Sequence, residues 1–343
     1  MSTQTRHYPA LDGLRGLAAL SVAVYHLGLT NRVNLAPNAY LAVEFFFALS
    51  GFVLARAYAE RLDRRLTLRG FILVRLIRLM PLIVLADAIA AAIFFTYYPG
   101  GHSRWLLAAL LGALNIPLLA AQEFQGARFI FPFNPPQYSL FFELAANAVW
   151  APLHRRKILL AGLCALGFVL VATLGGGGGD QVNGFWSGFP RVGGLFLLGV
   201  LLSDVEPKLP VWTNRVWASI LAATLAFSAW FFFAGPDKDW TWYPWSLVVV
   251  PVLVVAGARA RLPDVLTRLS RIMGDLSYPL YALQGPLLWC CAWVFNYFAV
   301  RTPSLRIALS LVATLLLSAA ALKFIDSPVR AWLTRRMKAA KQD

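Results

Sequence analysis

The sequence predicts an all-α polytopic integral membrane protein, with about ten transmembrane helices and one re-entrant segment near residues 105–137. Three observations predict it. Of 343 residues, 59% are hydrophobic and only 14% charged, whereas soluble domains run near 45–50% apolar and about 25% charged. Mean hydropathy is +0.63, which implies more apolar surface than a soluble fold hides, so most of the chain belongs in lipid. The third observation is that the apolar residues gather into runs separated by clusters of Lys and Arg.

The runs fall near 11–29, 38–55, 76–97, 105–121, 138–153, 158–174, 190–203, 213–234, 243–258, 277–296 and 304–325. After the second run, Arg56, Arg61, Arg64, Arg65 and Arg69 mark a cytoplasmic connection, because positive charge is retained on the inner side. Residues 155–157, Arg-Arg-Lys, mark another, as do Arg259, Arg261, Arg268 and Arg271. The tail carries Arg330, Arg335, Arg336, Lys338 and Lys341. Eleven crossings would put residues 155–157 outside and invert the later clusters. If the run at 105–121 dips in and returns, every cluster falls inside and both termini are cytoplasmic. Irregular backbone at membrane depth is tolerated where protein or a wet cavity shields it. The stretch 122–137, with Pro132, Pro135 and Pro136, is the exit of that loop.

The expected organisation is a single membrane domain over 1–343, with its core at 8–335 and a short basic cytoplasmic tail at 330–343. No separate soluble domain is expected, and the first apolar run carries Asp12, Arg15 and His26, unlike the core of a cleavable signal. The net charge of +15, from 31 Lys and Arg against 16 Asp and Glu, would suggest nucleic acid in a soluble protein. Here cytoplasmic loops account for it, and no nucleic-acid partner is expected. Cys164, Cys290 and Cys291 sit inside apolar runs without metal-ligand spacing. The glycine run 175–179 lacks the Gly-Lys-Ser/Thr ending of a phosphate loop and reads as a flexible external linker. No internal repeat of the kind found in many transporters is visible.

Ionisable residues inside spans are costly and point to function by default. In the first run, Arg15 and His26 are eleven positions apart. At 100° each they return to within about 20° of one face, roughly 16 Å apart along the axis. Asp12 and Arg15, three apart, can pair; an interfacial anchor pair is the plainer reading. A cation able to hold phosphate and a base of near-neutral pKa on one stripe make a plausible reaction axis. Arg75 and Arg78 open the third run with the spacing to clamp one polyanion, although retained positive charge is the simpler account. Glu44, Asp87 and Glu143 are also intramembrane. Glu143 follows the proline-rich exit and is expected to face the same outer cavity as His26.

With these residues placed, the chain resembles acyltransferase family 3, bacterial membrane proteins that acylate cell-surface carbohydrates. The resemblance rests on Leu11-Asp12-Gly13-Leu14-Arg15-Gly16, the Arg-x10-His pairing of Arg15 and His26, Phe45-Phe-Phe-Ala-Leu-Ser50-Gly51-Phe52, and the Arg-x-x-Arg of Arg75 and Arg78. It extends to Tyr138-Ser139-Leu140-Phe-Phe-Glu143, Leu276-Ser277-Tyr278-Pro279-Leu280-Tyr281 and Phe324-Ile-Asp326-Ser-Pro328. Together these cover about 8–335. Tyr138 stands where relatives carry Trp, and Gln284 where many carry His.

The resemblance implies an O-acyltransferase of the bacterial inner membrane. Its co-substrate would be a cytoplasmic acyl-CoA, most often acetyl-CoA, with no permanently bound cofactor and no metal. Its acceptor would be the hydroxyl of an extracytoplasmic carbohydrate: exopolysaccharide, O-antigen or a lipid-linked glycan. Arg75 and Arg78, with Arg15, would hold the CoA phosphates. His26 would act as general base with Asp12 orienting Arg15, and Glu143 and Ser139 would contact the acceptor. The alternative is a secondary transporter or flippase for a lipid-linked glycan, in which the same charges would relay protons.

Overall fold

The computed structural model describes residues 7–64, 66–97, 102–120, 127–175, 178–236 and 239–339. Expected features at Arg65, Lys341, two glycines of the 175–179 run and part of the loop exit (121–126) lie outside the described residues. Helices dominate: α1 (Pro9–Asn31), α2 (Ala42–Arg64), α3 (Leu68–Tyr97), α4 (His102–Ala113), α5 (Tyr138–Leu153), α6 (Lys157–Leu174), α7 (Phe185–Val205) and α8 (Asn214–Ala234). Then α9 (Trp242–Pro244), a π turn (Trp245–Val249) and α10 (Val250–Arg259) run on as one rod, followed by α11 (Asp264–Tyr297). Last, α12 (Pro303–Ala321) passes through a second π turn (Leu322–Asp326) into α13 (Ser327–Ala339). Among the described residues the β structure is slight, an isolated bridge between Phe129 and Gln181.

Six helical stretches are long and apolar enough to cross a membrane: Ala39–Arg64, Leu68–Thr96, Val182–Lys208, Asn214–Ala234, Trp242–Arg259 and Pro303–Ala339. The protein is therefore an all-α, multi-helix membrane protein. Four other long or apolar helices differ for identifiable reasons, one of them α6, which is apolar over the shorter stretch Lys157–Thr173. α1 carries Asp12, Arg15 and His26; α11 opens on the charged turns of Asp264, Arg268, Arg271 and Asp275; α5 has only 16 residues. By contrast α4 has 12 residues, about 18 Å at 1.5 Å per residue, against a hydrocarbon core of about 30 Å. The chain then leaves the helix, and Leu118 N–H donates to Ile130 O at 2.8 Å.

Two connecting segments carry local order. The basic tail expected at 330–343 is helical through Ala339, continuing from the π turn at Leu322–Asp326. The glycine run is anchored at its far end, where Arg191 donates to the carbonyl of Gly178 at 2.8 Å. Gly175, Gly178 and Gly179 have φ of 90°, 139° and 110°, a backbone that side chains resist, which accounts for the glycines.

Close backbone approach holds the bundle together. A Cβ on Gly51 would lie 1.9 Å from the carbonyl of Phe196, and one on Gly199 would lie 1.8 Å from that of Ala48. α2 and α7 thus pack backbone to backbone, the small-residue contact by which helices associate in lipid. α1 lies along α11 with contacting positions that rise together, Gly13 on Ser270 and Arg15 on Ser277, so these two helices run parallel.

Candidate active site

A cavity of about 260 Å³ lies at the N-terminal ends of α1 and α11, lined by Asp12, Arg15, Arg78, Tyr278, Asp326 and Arg330 among others. Arg15 is held from three sides. Its Nε donates to Ser277 Oγ at 2.8 Å, its Nη2 donates to Gly274 O at 2.7 Å, and Asp12 Oδ1 lies 3.4 Å from Nη2. Gly274 matters here, since a Cβ on it would sit 2.7 Å from that of Asp12; a larger residue would push α1 off. The second oxygen of Asp12 meets His7 Nε2 at 2.7 Å. Across the cavity Arg330 pairs with Asp326 at 2.8 Å, and Tyr278 donates its hydroxyl to Leu79 O at 2.5 Å, tying α11 to α3.

Three arginines and three aspartates, Asp275 being the third, line this cavity, so it is not a bare cationic patch. Its distinctive group is Arg78, which is exposed and has no hydrogen bond or ion pair among the described residues. Arg75 and Arg78, expected to clamp one polyanion together, do not turn to a common point in this structure. Residues three apart on a helix point about 60° apart, and here the two face different neighbours. Arg75, only 7% exposed, turns to α5, where its Nη2 meets Glu143 Oε1 at 2.5 Å. Ser50 Oγ donates to the same oxygen at 2.6 Å. Glu143 is therefore committed to α2 and α3, rather than facing an outer cavity with His26 as expected.

His26 sits eleven residues along α1 from Arg15, half-buried, and its Nδ1 is buried without a hydrogen-bond partner. It stands edge-on to Tyr25, with ring centroids 5.3 Å apart, and beside Gln284 of α11. Gln284 is fully buried and its Oε1 also lacks a partner. The helix arithmetic thus corresponds to a real stripe: Arg15 at the cavity, His26 deeper, both against α11. Ser139 lies elsewhere. Its hydroxyl contacts Pro136 O at 2.9 Å and Tyr281 OH at 2.7 Å, joining α5 to α11.

Sequence reasoning missed two buried ionic groups. Arg191 of α7 grips Glu44 of α2 through Nε at 2.8 Å and through Nη2. Glu206, 1% exposed, takes both Arg56 and Arg259. An arginine inside the apolar run of α7 was the available signal, since ionisable groups in such runs need partners. Among the described residues no cluster of three or more His, Cys, Asp or Glu occurs.

The fold is an all-α membrane bundle with a charged cavity between α1 and α11 and, further along α1, a histidine whose buried Nδ1 lacks a hydrogen-bond partner. Residues 8–323 match the family model described as "Acyltransferase domain", and the chain belongs to acyltransferase family 3. It is 39% identical to "Protein 2 in picA locus" of Rhizobium radiobacter, over 41% of this chain and 79% of that protein. It is 22% identical to "O-acetyltransferase OatA" of Staphylococcus aureus, over 95% of this chain and 57% of that protein, so it spans little more than half the length of that relative. No solved structure matches the chain.

Proposed function

We propose that this protein is a membrane O-acyltransferase that moves an acetyl group from cytoplasmic acetyl-CoA to a hydroxyl of an extracytoplasmic carbohydrate. The observation that carries the reading is the stripe on α1: Arg15 at the cavity, beside Arg78 of α3, which has no ion pair among the described residues, and His26, its buried Nδ1 without a hydrogen-bond partner, about 16 Å further along the helix. The phosphates of acyl-CoA meet Arg78 and Arg15, and the pantetheine arm follows α1 to His26. His26 takes the proton of the acceptor hydroxyl as its oxygen attacks the thioester carbonyl. The C–S bond breaks, and the CoA thiolate leaves and takes up a proton. Asp12 orients Arg15. Arg75, Glu143 and Ser139 act by holding α2, α3, α5 and α11 in place, which revises the acceptor and donor contacts expected for them.

In this reading the chain crosses the bacterial inner membrane ten times with both termini cytoplasmic. The parallel run of α1 and α11 and the short reach of α4 support that topology. The OatA name, an O-acetyltransferase, supports acetyl as the group moved. The acceptor is a surface glycan or its lipid-linked precursor.

The test is transfer of labelled acetyl from acetyl-CoA into glycan by inverted membrane vesicles. Wild type transfers label; His26→Ala does not, at equal membrane level, and does not recover at high donor concentration. Failure of purified wild type to bind acetyl-CoA would favour the flippase reading, which has no use for that ligand.

A further inference from the structure

A second cavity, of about 340 Å³, is lined by His7, Tyr8, Arg259, Arg261, Leu262 and Thr267, with neighbouring residues. It lies between the first residues of α1 and the turn that joins α10 to α11. The two cavities are separated by one side-chain contact: His7 lines this one, Asp12 lines the other, and they meet at 2.7 Å. Along α1, Pro9 precedes Arg15 by about 9 Å at 1.5 Å per residue. The second cavity therefore lies further from His26 than the first.

The charges in it differ in kind. Arg259 is engaged by Glu206. Arg261 is exposed and its guanidinium makes no hydrogen bond or ion pair among the described residues, although its backbone is fixed. Arg261 N–H donates to Asn214 Oδ1 at 2.7 Å, and Asn214 Nδ2 donates back to Arg261 O at 3.1 Å. A reciprocal clamp on the main chain that leaves the guanidinium unoccupied presents a fork suited to a phosphate.

We infer that this second cavity is a phosphate subsite for the ribose 3′-phosphate of coenzyme A, with Arg261 as its main contact. The inference rests on the acyl-CoA reading above. CoA carries phosphate in two places, a diphosphate next to the pantetheine arm and a monophosphate on the ribose. With the acyl end at His26, the diphosphate falls at the nearer cavity with Arg78 and Arg15. The ribose phosphate then falls beyond the His7–Asp12 contact, where Arg261 stands.

The experiment compares binding of acetyl-CoA and 3′-dephospho-acetyl-CoA by the full-length protein in lipid nanodiscs. Wild type is expected to bind acetyl-CoA about tenfold or more tightly, the size of one charge-assisted contact. Arg261→Ala loses that preference, Arg261→Lys keeps part of it, and Arg78→Ala weakens both ligands while retaining it. Because the Arg261 side chain makes no hydrogen bond or ion pair among the described residues, its removal is expected to leave the fold intact, which helicity and elution volume check. Equal affinity of wild type for both ligands overturns the subsite and leaves the acyl-CoA reading standing. So does full preference in Arg261→Ala. Binding of neither ligand by wild type overturns the donor reading itself.

Discussion

Replacing Glu143 by Gln separates a role in stability from a role in the reaction. The carboxylate sits beside Arg75 and Ser50, and the Arg75 side chain is 8% exposed while that of Glu143 is 13% exposed. Glu143→Gln keeps the shape and removes the charge, so a guanidinium is left in the bundle without its counter-ion. Breaking such a pair by removing one member costs about 3–5 kcal/mol, whereas replacing both members by packed apolar residues is often neutral. The amide oxygen still accepts one hydrogen bond, which places Glu143→Gln near 3 kcal/mol, and Arg75→Met should cost a similar amount. The double variant Arg75→Met, Glu143→Leu should regain most of the loss. Unfolding of purified protein by a denaturing detergent, followed by helicity, compares wild type with these three variants. If Glu143→Gln unfolds at the wild-type midpoint yet transfers no acetyl, the carboxylate meets substrate and the pairing argument fails.

Three further outcomes follow from neighbouring geometry. Arg78→Ala should raise the KM for acetyl-CoA by about tenfold or more, the loss of one charge-assisted hydrogen bond, with kcat nearly unchanged in steady-state assays. Gly199→Ala should destabilise by about 1–3 kcal/mol as overpacking does, since its Cβ would fall 1.8 Å from Ala48 O; Gly162→Ala, with nothing within 4 Å, should not lower the unfolding midpoint. Asp87 is 2% exposed and forms no ion pair among the described residues, so Asp87→Asn should fold and transfer acetyl as wild type does; loss of transfer with fold retained would give that carboxyl a part in the chemistry.

The sequence revealed the class of fold because lipid demands long apolar runs, and α2, α3, α8 and α12 announce themselves that way. α11 begins at Asp264, thirteen residues before the run expected at 277, because Asp264, Arg268, Arg271 and Asp275 lower the hydropathy of a helix without ending it. The same effect conceals α13. In the site, Arg15 and His26 could be aligned from spacing alone, since both lie on one helix. Arg75 and Arg78 could not be separated by spacing, because a 60° difference gains meaning only when the neighbouring helices are known. Only in the assembled bundle does Glu143 stand on one side of α3 and the cavity on the other.

That difference gives a way to sort charges in a membrane. An ionised group in an apolar run is costly, so one that keeps its charge needs a partner within the protein or a ligand from outside. Arg75 with Glu143, Arg191 with Glu44, and Arg56 and Arg259 with Glu206 answer the demand internally. Each of these pairs joins different helices, so evolution toward stable packing alone would retain them. Arg78 at the cavity has no ion pair among the described residues, and the buried Nδ1 of His26 beyond it has no hydrogen-bond partner. In the function proposed above, a guanidinium open to a cavity and a buried imidazole nitrogen without a hydrogen-bond partner meet one ligand. Their places beside α1, nearer and further from the same end, fit a long ligand that is charged at the cavity and reactive at the histidine. An acyl thioester on a phosphate-bearing carrier has that form; a single ion or a proton does not.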